Sequence, residues 1–288
     1  MPNLGTAEVG ITKPMGVAKS TRPRVMAVML TKDRPEMAAR AVRCFRAQTY
    51  ENKRLLIWDA GKVLSPELAS EDHNDQTWVP ASTHLSIGNA RNQANSFWTE
   101  YDIACHFDDD DWSHPRRIEE QVALLELSGK ECVGYNEMLF WRITGFQVEP
   151  IEVTRSGLAG EPSTHREFVP GARRETGEAW RYRLPLPGYA LGTSLCYWRR
   201  AWARHPFPDK SNGEDWGFLK GVSCESASAF IERVYGKVPA GDVLLGCEPR
   251  MIATLHGSNT ATRLDPSKSE WTREPEWDKR VREILERA

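Results

Sequence analysis

Two acidic clusters carry the chemistry of this sequence. The first is HFDDDDW at 106–112, four consecutive aspartates directly after a short apolar run. Four adjacent carboxylates repel one another, and a cation, basic groups or raised pKa values must offset that repulsion. Carboxylate oxygens suit hard divalent cations such as Mg2+ and Mn2+. Side chains alternate along an extended chain, so Asp108 and Asp110 face one site, and Asp109 and Asp111 the other side. The same run would also suit an acidic cap on the following helix, whose N-terminus favours negative charge. The second cluster is GEDWGFL at 213–219. Taken alone, Glu214-Asp215 is explained by capping a helix start. Taken with the first cluster, it supplies the other half of a transfer chemistry: a metal for an anionic leaving group and a carboxylate for a proton.

These groups need a scaffold, and the flanking sequence reads as α/β. VMAVML at 25–30 is a continuous apolar run, as in a strand buried on both faces of a parallel sheet. Pro35 suits the first turn of a helix, and apolar residues at 37, 38, 41, 42 and 45 form one helical face. A second strand over Arg54–Trp58 completes a strand–helix–strand unit, which predicts a right-handed parallel crossover. Residues 86–99 predict a helix and Asp102–Phe107 a strand whose end presents the aspartates. A helix follows Pro115, with Gly129 as its C-cap. In an open parallel sheet, ligands bind outside the carboxyl ends of the strands, where the aspartates fall. Residues 131–148 alternate as strands do, whereas 149–183 read as a long loop rich in Pro, Gly, Arg and Glu. A helix follows Glu214, and 274–288 predict a terminal helix. The expected divisions are a flexible tail over 1–22, halves over 23–130 and 131–263, and a C-terminal helical segment over 264–288.

Composition narrows the class. With 40% hydrophobic and 27% charged residues the chain is globular, and its net charge of −2 gives no blanket affinity for nucleic acid or anionic membrane. Its six dispersed cysteines form no C-x-x-C pair and predict reduced, buried thiols in a cytoplasmic protein. No apolar run is long enough for a transmembrane span, and the N-terminus lacks a signal-peptide apolar core.

Taken in order, the motifs resemble a known family. VMAVMLTKDRPEM, AVRCFRAQTYENKRLLIWDAG, GNARN, FDDDDWSHPRRIEEQ, GYALGTSLCYWRRAW, GEDWGFL and LHGSN are similar to successive segments of glycosyltransferase family 2, over roughly residues 24–260. The resemblance implies a GT-A (Rossmann-like) α/β fold. Its central sheet would be mixed but mostly parallel, flanked by helices, with an acceptor-side lobe. It implies a nucleotide-sugar donor, a hydroxyl acceptor and a divalent metal, Mn2+ or Mg2+. Thr31, Arg34, Asp59, Arg91, Asp108 and Asp109 would form the donor set. Asp110 and His256 would hold the metal, and Asp215 would be the base, with Glu214 beside it. The family's double aspartate after the second strand is here Trp58-Asp59, which leaves the base contact to Asp59 alone.

A single base opposite the leaving group implies direct displacement with inversion; by analogy with hydrolases, two opposed carboxylates would imply retention. Trp216 and Tyr189 are expected at the acceptor, and Gly188 and Gly192 to let backbone approach it. Between Ile151 and Pro206 nine arginines stand against five glutamates, with aromatics interleaved. Through Arg173 and Arg174 that pattern suits an anionic acceptor: a phosphorylated glycan or lipid headgroup, or a hydroxylated nucleic-acid base. The same charges would also suit a solvated loop paired within itself. Two other classes fit the acidic clusters, a nucleotidyltransferase and a non-catalytic sugar-binding protein of the same fold. The first would carry a Gly-rich basic phosphate loop, which TKDRPEM lacks.

Overall fold

The first strand sorts its side chains onto two faces. In β1 (Val25–Thr31), Val25, Ala27 and Met29 enter one apolar core, while Met26 and Val28 enter another on the opposite face. Burial on both faces is what a continuous apolar run requires. The computed structural model describes residues 22–62, 68, 75–82, 84–155, 165–230, 248–257 and 264–288, and for 149–155 and 165–173 the backbone alone. The tail expected over 1–22 thus lies, apart from Arg22, outside the described residues, as does Cys247.

The predicted crossover forms. α1 (Pro35–Arg46) starts with Pro35 and Glu36 in its first turn and ends with Arg43 and Arg46, each complementing the helix dipole. It leads to β2 (Lys53–Asp59), which pairs in parallel with β1 and with β3 (Gln76–Pro80). α2 (Ile87–Phe97) is capped by Ser86, whose side chain accepts from the Asn89 N–H. β4 (Ile103–His106) pairs in parallel with the other edge of β1. The short β5 (Trp112–Ser113) precedes α3 (Arg117–Ser128), which closes on Gly129 at φ 64°, the left-handed cap expected there.

The long loop expected over 149–183 is instead largely a hairpin. β6 (Cys132–Arg155) and β7 (His165–Arg183) pair antiparallel, with irregularities between Ile143 and Gly145 and between Val148 and Pro150. These bulges are where glycine and proline had masked the strand pattern. β8 (Cys196–Trp198) runs antiparallel between β4 and β6, so strands from both sequence halves share one sheet. After α4 (Arg199–Arg204) and α5 (Glu214–Leu219), β9 (Cys224–Ser228) and β10 (Met251–Leu255) add to β6 in parallel. β11 (Trp271–Arg273) pairs with β7 and leads to α6 (Asp278–Arg287), shorter than the expected 274–288 because a 3-10 turn occupies Pro275–Trp277. Eleven described strands form this mixed sheet. Five cysteines are buried free thiols, and among the described residues no helix is long and apolar enough to cross a membrane.

Candidate active site

The strand ends converge on one cleft of roughly 480 Å3. Its lining includes Thr31 at the end of β1, Lys32 and Arg34 after it, Arg91 of α2, all four aspartates after β4, Tyr189, Leu191, Gly192, Thr193, Glu214, Asp215 and Thr254 of β10. The two acidic clusters, far apart in sequence, thus face the same space.

The alternation expected along 108–111 holds in part. Asp108 is 3.6 Å from Arg91 Nη2, and Arg91 Nε is 3.8 Å from Glu214 Oε1. Arg91 is buried, so it ties the two acidic clusters together from beneath. Asp110 Oδ2 lies 3.1 Å from His256 Nε2 and 2.8 Å from Arg34 Nη1. Burial opposes its ionisation, but the His256 hydrogen bond and the Arg34 charge prevail and hold its pKa below the ordinary range. Asp109 points elsewhere. It is 1% exposed, and Arg34 Nη2 sits 2.8 Å from its Oδ1. Burial and the Asp110 charge push it up to about 8, against the pull of Arg34. Both of its oxygens are buried, so the donor contact expected of it is not one its carboxylate can make directly.

Asp111 was not singled out by the sequence reading, yet it knits the site. Its Oδ1 accepts from the Thr254 N–H at 3.1 Å, and its Oδ2 accepts from the Thr193 hydroxyl. One buried carboxylate thereby links the aspartate turn to β10, which delivers His256, and to the 3-10 turn Gly192–Ser194. Burial, with the Asp110 and Asp108 charges, drives its pKa well up. Arg117 is also fully buried. It donates to the carbonyls of His106 and Thr193, to Ser113 Oγ and to Gln121 Oε1. His106 lies below the cleft, with Nδ1 2.6 Å from the Gly192 carbonyl. A carbonyl only accepts, so Nδ1 carries the proton. Burial first, then the Arg91 charge, hold the ring neutral.

On the opposite wall, Gly192 matters for a reason other than acceptor approach. A Cβ there would lie 2.5 Å from Asp215 Oδ2, so the missing side chain makes room for the carboxylate. Glu214 is buried, and burial before all else raises its pKa, although Arg91 opposes this. The more open carboxylate of the pair is Asp215. Beside it, the Tyr189 and Trp216 rings stand 5.7 Å apart, and Trp216 is 42% exposed. A half-open indole next to a carboxylate offers an apolar face and a proton acceptor to one incoming molecule.

Other expected residues fall differently. Asp59 is buried, accepting from the Gly61 N–H at 2.8 Å and from Trp78 Nε1 at 3.2 Å, and the cleft is lined by its neighbours Trp58 and Ala60. Arg174 is exposed, 3.8 Å from Glu286 of α6, and the Arg173 side chain lies outside the described residues. Arg142 pairs with Glu178, Arg181 with Glu274, and Arg183 lies 4.0 Å from Glu137. Much of the positive charge of this region is thus met within the protein.

Asp110 and His256 fit a divalent cation. Their donor atoms are 3.1 Å apart, and adjacent ligands of an octahedral ion with bonds of ~2.1 Å are separated by about 3 Å. Among the described residues, no three His, Cys, Asp or Glu converge as a metal cluster. Mg2+-like ions need only one or two protein ligands where phosphates and water complete the shell, and Asp110 with His256 is a pair of that size.

Comparison with known proteins bears on the fold and on one sequence segment. Residues 26–140 match the family model for glycosyl transferase family 2, somewhat less than half the chain. No curated protein matches the sequence. Among solved structures, S. aureus TarS superposes with a TM-score of 0.50 at 12% identity, over 81% of this chain and 37% of TarS. TarS 1–349 in complex with UDP gives 0.50 at 12%, over 81% of this chain and 60% of that one. Its complex with UDP-GlcNAc gives 0.50 at 11%, over 82% and 60%. The chain therefore spans less than two thirds of these proteins' length. The shared architecture is the GT-A fold, and the sequence over 26–140 is glycosyltransferase family 2-like.

Proposed function

We propose that this glycosyltransferase family 2-like protein moves a sugar from a nucleotide-sugar donor to an acceptor hydroxyl, with a divalent metal and with inversion at the anomeric carbon. The observation that carries this reading is the single cleft lined on one wall by Arg34, Arg91 and Asp108–Asp111 and on the other by Glu214 and Asp215. In this reading the nucleoside diphosphate lies along the β1 and β4 ends, and the acceptor enters against Tyr189 and Trp216.

A cation held by Asp110 and His256 would act as a Lewis acid for the negative charge that builds on the departing diphosphate. Arg91, buried between Asp108 and Glu214, fixes the distance between donor and base. Asp215 accepts the hydroxyl proton as the acceptor oxygen attacks, a contribution of about 10²–10⁴ in rate. Glu214 is engaged with Arg91, and burial raises its pKa, which leaves Asp215 as the open base and favours direct displacement. The anionic-acceptor reading loses weight because Arg174, Arg181 and Arg183 have glutamate neighbours, and an uncharged hydroxyl acceptor fits the aromatic rim better. TarS 1–349 has been crystallised with UDP and with UDP-GlcNAc, which makes uridine donors the first to assay here.

The test is incubation with a panel of nucleotide sugars and Mn2+, scoring nucleoside diphosphate release. Release with one donor, accelerated by an acceptor, is the expected result. Pyrophosphate release from a nucleoside triphosphate would point to nucleotidyl transfer instead, and no release with any donor would leave a binding protein.

A further inference from the structure

The atoms that fit a metal are held by a cation of the chain itself. Arg34 Nη1 is 2.8 Å from Asp110 Oδ2 and 3.3 Å from His256 Nε2, the same two atoms that stand 3.1 Å apart as metal donors. Its second terminal nitrogen, Nη2, rests 2.8 Å from Asp109 Oδ1. Arg34 stands at the N-cap of α1 and its side chain is 27% exposed, so it lines the cleft and has room to turn outward. Asp109, in contrast, is almost fully buried and fixed.

From this arrangement we infer that Arg34 is a tethered cation competing with the divalent metal for Asp110 Oδ2, beside His256. The inference rests on the metal reading of the preceding subsection and deepens it. An N–H pointed at Asp110 Oδ2 uses electron density that a metal bond would need, and one positive charge repels the next at this range. Metal entry therefore requires Nη1 to leave Asp110 while Nη2 keeps its contact with Asp109. The freed Nη1 then faces the cleft, where a diphosphate presents oxygens to which it can donate. Metal binding and donor binding become linked: the ion enters weakly alone and more tightly once phosphate oxygens take up the displaced arginine. Reciprocity of linked equilibria then requires the metal to strengthen nucleotide binding by the same factor.

The experiment measures Mn2+ binding by electron paramagnetic resonance without nucleotide, in wild type, Arg34→Gln, Arg34→Lys and Asp110→Ala, with folding checked by circular dichroism. Arg34→Gln should bind Mn2+ more tightly than wild type by roughly tenfold or more, because a like charge within ~4 Å of the ion is removed. Arg34→Lys should stay near wild type, and Asp110→Ala should lose the site. Addition of UDP should tighten Mn2+ binding in wild type and far less in Arg34→Gln. In wild type, where no substitution can disturb folding, Mg2+ with UDP should shift the side-chain 15N signals of Arg34. Equal or weaker Mn2+ binding in Arg34→Gln, with binding still dependent on Asp110, would overturn the competition and leave the metal reading standing. No Asp110-dependent Mn2+ binding in any variant would overturn both.

Discussion

Gly192→Ala probes the proposed base, Asp215, without substituting it. Gly192 is not among the described residues with positive φ, so its backbone tolerates alanine. On unfolded-chain entropy alone, such a change stabilises by about 0.4–1 kcal/mol. The obstacle is the new methyl, 2.5 Å from Asp215 Oδ2 and 2.9 Å from Asp215 Cβ and Cγ. Ordinary contacts between heavy atoms lie at about 3.5–4.0 Å, so the carboxylate must retreat by roughly 1 Å. Asp215 is partly exposed at the start of α5, so its carboxylate can turn away, while the 2.9 Å approach to its Cβ needs a small shift of the α5 start as well. A 1 Å misplacement of a catalytic group costs on the order of 10²-fold in rate. Steady-state kinetics with thermal melting tests this. The expected result is a kcat lower by ~10², unchanged nucleoside diphosphate affinity and a Tm close to wild type. Because both changes act on one group, Gly192→Ala combined with Asp215→Asn should be no slower than Asp215→Asn alone. A normal kcat in Gly192→Ala, or losses that multiply in the double variant, would refute the reasoning.

Two further outcomes follow from the opposite wall and the floor of the cleft. Asp110→Ala should abolish the Mn2+ dependence of nucleoside diphosphate affinity in calorimetry while leaving the fold intact; equal wild-type affinity with and without Mn2+ would remove the metal role. His106 is held neutral well below its ordinary pKa, so below pH ~6.5 the unfolded chain binds a proton that the folded chain refuses. Its contribution is complete above that pH and declines as pH falls, by at most about 1.4 kcal/mol per pH unit. Asp109 works in the opposite sense, since its raised pKa costs stability as pH rises from about 4 toward 8. The difference between wild type and His106→Asn isolates the histidine. Urea unfolding from pH 7 to 5 should show a slope smaller by up to one proton in the variant, and identical slopes would refute the assignment.

The sequence made the site's poles legible but not what joins them. Asp108–Asp111 and Glu214-Asp215 declare themselves by type and spacing, and VMAVML states a doubly buried strand. The hairpin was hidden because Pro150, Pro170, Gly145 and Gly177 interrupt the alternation, and only pairing across strands reveals the two-residue period. The connecting groups were hidden for a related reason. Asp111, His106, Arg117 and Gly192 each act through a partner between 11 and 143 residues away in sequence, beyond the local bonds of Arg117 to Ser113 and Gln121, and no local pattern records that relation. Asp59 is a smaller case: its position matched the family pattern, but Trp78 on the adjacent strand occupies one carboxylate oxygen. The cluster of arginines was legible as charge, and its glutamate partners on β6 and in the C-terminal region appeared only with the fold.

The central claim is that Asp215 takes the acceptor's proton beside a donor held at the aspartate turn. Asp215→Asn keeps the shape and removes the proton acceptor, so turnover with the best nucleotide-sugar donor is the direct measure. In Asp215→Asn kcat should fall by about 10² or more while the nucleoside diphosphate dissociation constant stays near wild type. Near-normal turnover in Asp215→Asn would contradict it.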